Sequence, residues 1–408
     1  MLAAAQEDRR SAGAAGLAEA GARVGVARLV LTDFRNYRSA RLDFAGVPVQ
    51  PVVLTGPNGA GKTNLLEALS LLSPGRGLRN ARLGDIDRRR PDAAAGDAVG
   101  WAVAATVATR RGALRIGTGR DAVAGERRAV RIDGEPARSQ ASLAERLGVL
   151  WLTPAMDRLF VEGPGGRRRL LDRLVLGLDP AHASQVARYD QAMRERSRLL
   201  RDGPRDGAWL AALEDAMAAE GVAIAAARRE AVERLDQTCS EAAGPFPQAR
   251  LRLIGTIEEW LAAMPALEAE ERFRAALADG RAADALAGGA GIGPHRSDLA
   301  VIHAEKGIDA AAASTGEQKA LLIAILLAQA ALQRAQRGEP PLLLLDEVAA
   351  HLDRTRRAAL FEILAGLDGQ AWLTGTDAAL FAPLRGAAHF LSVSDGTLTT
   401  ELSSVNQI

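Results

Sequence analysis

The chain has 408 residues, 48% of them hydrophobic and 25% charged, with a formal net charge of +1. That length and mixture point to a folded protein of two or three domains, or one domain with a large insertion, and exclude a disordered or collagen-like chain. A single cysteine, Cys239, excludes an intrachain disulfide and fits a reducing cytoplasm; no run reaches the roughly 18 apolar residues of a membrane span.

Residues 1–24 are rich in alanine and glycine, but Glu7, Asp8, Arg9 and Arg10 remove the apolar core of a signal peptide. They are expected to be a disordered tail or a misassigned start. Val26 to Leu31 reads as a strand, Asp33 to Tyr37 as a turn, and Ser39 to Phe44 alternates as a second strand. Val47 to Thr55 is β-rich and leads into a glycine-rich loop, followed by a helix over Asn64 to Leu72. Trp101 to Thr109 and Ala113 to Gly117 read as antiparallel strands, and Ala129 to Arg138 as a hairpin around Asp133-Gly134. Helical periodicity then takes over, in Ser184 to Arg201, Ala208 to Ser240 and Glu258 to Leu286, with a joint at Gly288 to Gly293. Ala320 to Leu332 reads as a buried helix, Leu342 to Leu345 as a buried strand, Arg354 to Leu367 as a helix, Ala371 to Thr374 as a strand, and His389 to Leu402 as a closing hairpin. The expected organisation is an α/β nucleotide-binding lobe in two halves, 25–154 and 288–408, interrupted by a mostly helical lobe at 155–287.

Gly56-Pro57-Asn58-Gly59-Ala60-Gly61-Lys62-Thr63 fits G-x-x-x-x-G-K-[ST] at every fixed position, with a strand before it and a helix after it. The glycines let backbone N–H groups turn around phosphate oxygens, and the helix N-terminus adds its positive dipole end. Lys62 is expected to reach the β- and γ-phosphates of ATP, and Thr63 to ligate Mg²⁺. Only three of the 51 basic residues are lysine (Lys62, Lys306 and Lys319), and two of these fall within motifs. Leu342 to Leu345 ends in Asp346-Glu347: Asp346 would enter the Mg²⁺ shell, and Glu347 would polarise an attacking water. Ser314-Thr315-Gly316-Glu317-Gln318-Lys319 opens the next-to-last long helix, 32 residues before Asp346. Ser314 and Glu317 alone would make an ordinary capping box.

In that order and spacing, Ser314, Gly316 and Gln318 resemble the signature of ABC-type ATPases. There two ATP-binding halves dimerise head to tail, and one half's signature caps the phosphate held by the other half's loop. His351-Leu352-Asp353 falls where such proteins place a dimer-contacting loop. Thr374-Gly375-Thr376-Asp377 falls where many carry a switch histidine, and a threonine departs from it. Lys62 to Ser314 is 252 residues, too long for a transporter ATPase subunit, the alternative reading, and too short for condensin-type arms.

Three further stretches are similar to the RecF DNA repair family: Leu31-Thr32-Asp33-Phe34-Arg35-Asn36-Tyr37, Gly163-Pro164 with Arg167-Arg168-Arg169-Leu170-Leu171-Asp172, and Gly293-Pro294-His295-Arg296-Ser297-Asp298-Leu299. Ser297 stands where that family usually shows an acid, the family's usual acid after Thr153-Pro154 is not found, and no clear Q-loop glutamine is evident. The resemblance implies a cytoplasmic ATP-dependent clamp on double-stranded and gapped DNA. It would form an ATP-dependent homodimer, act with RecR and RecO to load recombinase, and be reset by slow ATP hydrolysis. Arg76, Arg79, Arg167 and Arg168 are candidate DNA contacts, as are Arg88 to Arg90, against the simpler reading of solvated charge. His295 could touch nucleotide or DNA, or be structural. Phe34 or Tyr37 could stack on adenine, or pack in the core. No metal-ligand spacing of histidine and cysteine suggests zinc.

Overall fold

The computed structural model describes residues 23–47, 49–88, 100–121, 127–203, 207–242 and 244–400. They form two compact units: the first runs to Thr153 and resumes at Gly338, and the second is Pro154–Arg337. The first unit opens with β1 (Gly25–Phe34), β2 (Tyr37–Asp43), β3 (Val52–Thr55) and α1 (Lys62–Ser70). It continues through β4 (Trp101–Thr109), β5 (Gly112–Arg120), β6 (Arg128–Ile132), β7 (Glu135–Pro136), α2 (Ser142–Arg146) and β8 (Val149–Leu152). Its first sheet is antiparallel, in the order β2-β1-β4-β5-β6-β7. Alternation in β1 and β4 buries Leu29, Leu31, Val103 and Val107 on one face and leaves the other face partly solvated. Val24 already belongs to this fold: it is 1% exposed, donates to Asp368 O at 2.8 Å and accepts from Gln370 N at 2.8 Å. The expected 1–24 tail therefore ends before Val24, and residues 1–22 lie outside the described residues.

The second unit carries α3 (Pro164–Leu178), α4 (His182–Asp202), α5 (Gly207–Glu241), β9 (Ala249–Ile254), α6 (Thr256–Ala263), α7 (Ala266–Asp279) and α8 (Arg281–Ala287). It ends with β10 (Asp298–His303), β11 (Ile308–Asp309) and α9 (Thr315–Arg337). It is mostly helical but holds a three-stranded sheet, β11-β10-β9. It does not stop at residue 287, where the composition shifts. β10 pairs with β9 over six residues, and Gln329 of α9 donates to Leu174 O of α3 at 2.8 Å, so the signature helix belongs to this unit. Tyr189, Met217, Ala225 and Phe273 lie within its apolar core.

Back in the first unit, β12 (Leu342–Leu345), α10 (Arg354–Gly366), β13 (Ala371–Gly375), β14 (His389–Ser394) and β15 (Thr397–Thr400) complete a second sheet, ordered β15-β14-β3-β13-β12-β8. Its five strands from β14 to β8 are parallel. The four leucines of β12 are each at most 1% exposed, as a strand covered on both faces requires, and each contributes roughly 1.5–3 kcal/mol by burial. The carboxyl ends of β3, β12 and β13 lie side by side, where parallel α/β sheets hold ligands.

Candidate functional site

The phosphate loop leaves the carboxyl end of β3 and closes at the N-terminus of α1. Gly56 and Gly61 have φ of 144° and 118°, left-handed conformations that glycine adopts without strain. A Cβ on Gly56 would strike Val393 O, and one on Gly61 would lie 2.6 Å from Asn36 Nδ2; beside Gly59 there is open space. Lys62 Nζ donates to Gly56 O at 2.6 Å and Pro57 O at 2.9 Å, spanning the loop it closes. Burial pushes the Lys62 amine down, while Glu347 and Asp346 act in the opposite direction. Asn36 Nδ2 donates to Ala60 O at 2.9 Å, and Tyr37 OH to Gly61 O at 3.0 Å. Arg35 forks onto Glu67 of α1 at 2.6 and 2.8 Å. The Arg35-Asn36-Tyr37 triplet thus buttresses the loop and its helix. Phe34 and Tyr37 are both 0% exposed, and Phe34 packs edge-on against Trp101 at 5.5 Å. They are core residues and do not form an adenine platform.

The acidic pair sits at the carboxyl end of β12. Thr63 Oγ1 lies 3.0 Å from both carboxylate oxygens of Asp346. Thr374, at the end of β13, donates to Asp346 Oδ1 at 2.7 Å and accepts the Glu347 N–H at 2.9 Å. Glu347 has φ 50°, so this bond helps hold a strained backbone. Thr374 therefore ties Asp346 to the Glu347 backbone, a role the motif pattern did not reveal. β8, also missed in the sequence, pairs with β12 and accepts Asp346 N at Leu152 O, 2.9 Å. Pro154 then begins the second unit. Among the described residues no cluster of three or more His, Cys, Asp or Glu could hold a metal. A cation here would take Thr63 and Asp346 as its protein ligands.

In the second unit, Ser314 forms the capping box. Its N–H and hydroxyl donate to Glu317 Oε2 at 3.1 and 2.9 Å, and Glu317 N–H returns to Ser314 Oγ at 3.4 Å. Lys306 contacts Glu317 Oε1 at 2.5 Å and, with the Ser314 donors, holds its carboxyl down to about 2. Ser314 is exposed and Gly316 half-buried at this helix start. Gln318 is not available to a phosphate: it is 4% exposed and donates to Ala313 O at 2.8 Å. The next residue, Lys319, is also buried and pairs with Asp157 at 3.5 Å.

The family model described as RecF/RecN/SMC N terminal domain matches residues 25–378. The DNA replication and repair protein RecF of Mesorhizobium japonicum is 51% identical over 381 residues, 91% of this chain and 97% of that protein. That of Rhizobium etli is 49% identical over 379 residues, 92% and 98% of the two chains. The chain belongs to the RecF family. A solved structure of the recombination mediator protein RecF with ATPrS, in the RecFOR pathway, shares the fold at a TM-score of 0.80, covering 93% of this chain and 99% of that one at 21% identity. Among the described residues no helix is long and apolar enough to cross a membrane.

The two remaining RecF-like stretches meet within the second unit. Arg167 of α3 forks onto Asp298 at 2.7 and 2.8 Å and donates to Leu159, Phe160 and Glu162 carbonyls. Arg168 donates to Ser297 O at 2.9 Å. Asp172 accepts a fork from Arg228, at 2.8 and 3.0 Å, and contacts His182 at 2.9 Å. Burial pushes Asp172 up, but His182 and Arg228 outweigh it and hold the carboxyl below its ordinary value. His295 is structural: Tyr189 OH lies 2.7 Å from its Nδ1, Ala290 O lies 2.9 Å from its Nε2, and burial lowers its pKa. Ser297 donates to the buried carboxylate of Glu258 at 2.6 Å. Of the arginines expected on DNA, Arg167 and Arg168 hold this RecF hallmark together, because a guanidinium satisfies several carbonyls and a carboxylate at once. Arg79 pairs with buried Glu67 at 2.9 Å, Arg88 with Asp33 at 2.9 Å, and Arg89 and Arg90 lie outside the described residues. Arg76 is exposed.

Proposed function

We propose that this RecF-family chain is an ATP-switched DNA-binding protein of replication maintenance and recombinational repair. The observation that carries this reading is the convergence of Lys62, Thr63, Asp346 and Glu347 at the carboxyl ends of β3 and β12, with Thr63 Oγ1 3.0 Å from Asp346. These residues fit a nucleoside triphosphate with Mg²⁺. Gly59 leaves open space beside the loop, Lys62 supplies a cation, and Thr63 and Asp346 supply the hard oxygen donors Mg²⁺ takes. Bound Mg²⁺·ATP supplies the transferable phosphoryl group. Lys62, which donates to Gly56 O and Pro57 O, would hold the β- and γ-phosphates. Glu347 would orient a water and accept its proton, and Thr374 holds the Glu347 backbone from which that carboxylate projects.

In this reading two copies join on ATP, each presenting Ser314 and Gly316 at the N-terminus of α9 to the other's phosphate. The joined pair grips double-stranded and gapped DNA and acts with RecR and RecO proteins to load recombinase. Slow hydrolysis releases the grip. The match to RecF in the RecFOR pathway supports these partners by family membership.

Anisotropy of labelled gapped duplex tests the reading, with and without ATP and Mg²⁺, for wild type and Lys62→Ala. ATP should tighten binding in the wild type only. Absence of DNA binding at low salt in both states would point instead to a protein or membrane partner, as for a transporter ATPase.

A further inference from the structure

The solvated face of the antiparallel sheet carries charge of one predominant sign. One register row across five strands reads Arg41, Val30, Ala104, Gly117, Arg131, and the next reads Asp43, Arg28, Thr106, Arg115. Four arginines thus share the face with two aspartates, Asp43 and Asp133, the latter opposite Arg115 and accepting its N–H at 3.0 Å, although the whole chain is balanced at 51 basic and 50 acidic residues. Arg41, Arg115 and Arg131 are exposed, and Arg28 is half-buried. Arg41 is 60% exposed even while it touches Asp43 at 3.4 Å. At about 4.8 Å per strand, Arg41 and Arg131 lie roughly 19 Å apart and Arg28 and Arg115 roughly 10 Å apart. One small anion cannot engage cations so spread. A polymer with a charge every few ångströms can.

The floor between the arginines is Ala104, Gly117 and Thr106, with Val30 the largest apolar side chain in the two rows. Stable protein partners are held by buried aromatic and large aliphatic anchors, and these rows offer none. A phosphate backbone needs only cations on a surface flat enough to approach, and arginine meets phosphate in a fork. We propose that this sheet face, through Arg28, Arg41, Arg115 and Arg131, is a phosphate-backbone contact surface for duplex DNA. The inference rests on the DNA-binding reading above and locates its contact on this chain. None of these arginines belongs to the nucleotide site.

The test is the salt dependence of duplex binding by the full chain with ATP and Mg²⁺, for wild type, Arg115→Gln/Arg131→Gln, and the control Arg158→Gln. Arg158 is 76% exposed in the other unit. Each lost phosphate contact removes about 0.9 from the slope of log K against log salt. The double variant should therefore lose about 1.8 from the slope, shrinking the affinity lost between 50 and 200 mM salt by roughly 12-fold. ATP affinity and melting temperature should match wild type, and the control should keep the full slope. If wild type binds duplex and the double variant keeps both slope and affinity, this surface is not the contact, and an acidic protein segment becomes its better occupant. If wild type binds no duplex at low salt, the DNA reading falls and takes this assignment with it.

Discussion

Replacing Thr374 by valine keeps the branched shape of a side chain at 0% exposure and deletes one hydroxyl. That hydroxyl donates to Asp346 Oδ1 at 2.7 Å and accepts the Glu347 N–H at 2.9 Å. A hydrogen bond to a charged group contributes about 1.5–3 kcal/mol, and a buried N–H left without an acceptor costs about 1–3 kcal/mol. The φ of 50° at Glu347 is itself held against about 1–3 kcal/mol of strain. Thr374→Val should therefore lower stability by about 2–4 kcal/mol. If about 2 kcal/mol of this is felt where Glu347 orients water, ATP turnover slows roughly 30-fold. ATP affinity should change little, because Lys62 and the loop are untouched. Thr374→Ser keeps the hydroxyl and should restore most of the rate. Phosphate release at saturating ATP, with affinity followed by a fluorescent analogue, reads both quantities. Wild-type turnover in Thr374→Val, or a serine variant as slow as the valine one, would refute the positioning role.

Gly61→Ala places a Cβ 2.6 Å from Asn36 Nδ2 at a φ of 118°, so nucleotide binding should be lost while circular dichroism stays native; retained ATP affinity would contradict the close-approach argument. Arg167→Met removes the fork on Asp298, a residue 31% exposed, together with three carbonyl contacts; it should cost about 2–4 kcal/mol in denaturant unfolding and leave duplex affinity of the folded protein intact. Weaker DNA binding at unchanged stability would instead make Arg167 a DNA contact. Burial raises the Glu258 carboxyl above 4.5, against the Ser297 hydroxyl that lowers it. A raised carboxyl stabilises the fold below pH 4.5, and that stability is lost as pH climbs through the raised value. Glu258→Gln should therefore melt higher than wild type at pH 8 and close to it at pH 4.5, and equal destabilisation at both would rule this out.

The phosphate loop and acidic strand were legible because their chemistry fixes residue types at fixed spacing. Gly56, Gly61, Lys62 and Thr63 must be what they are for backbone and phosphate to meet, and four leucines before Asp346 can only be a buried strand. Thr374 was not legible, since its role depends on β13 pairing with β12, a contact between residues 28 positions apart. The partners of Arg167 were hidden for a related reason. A run such as Arg167 to Arg169 looks solvated, yet Asp298, 131 residues away, takes its first member inward. The boundary placed at residue 287 followed a change in periodicity, whereas β9 and β10 pair across it. Ala249-Arg250-Leu251-Arg252-Leu253 alternates and was the available signal for β9.

The central claim is that ATP held by one copy is closed by Ser314 and Gly316 of a second, and that this closure grips DNA. Mixing two defective variants tests it directly. Lys62→Ala spoils the phosphate loop, and Ser314→Arg fills the exposed start of α9. Neither alone should bind gapped duplex more tightly on addition of ATP and Mg²⁺. A mixed pair contains one intact loop facing one intact signature, so the mixture should regain a substantial part of the ATP-dependent binding. If the mixture stays as inert as its components, or if Ser314→Arg alone behaves as wild type, the shared site does not exist in this protein.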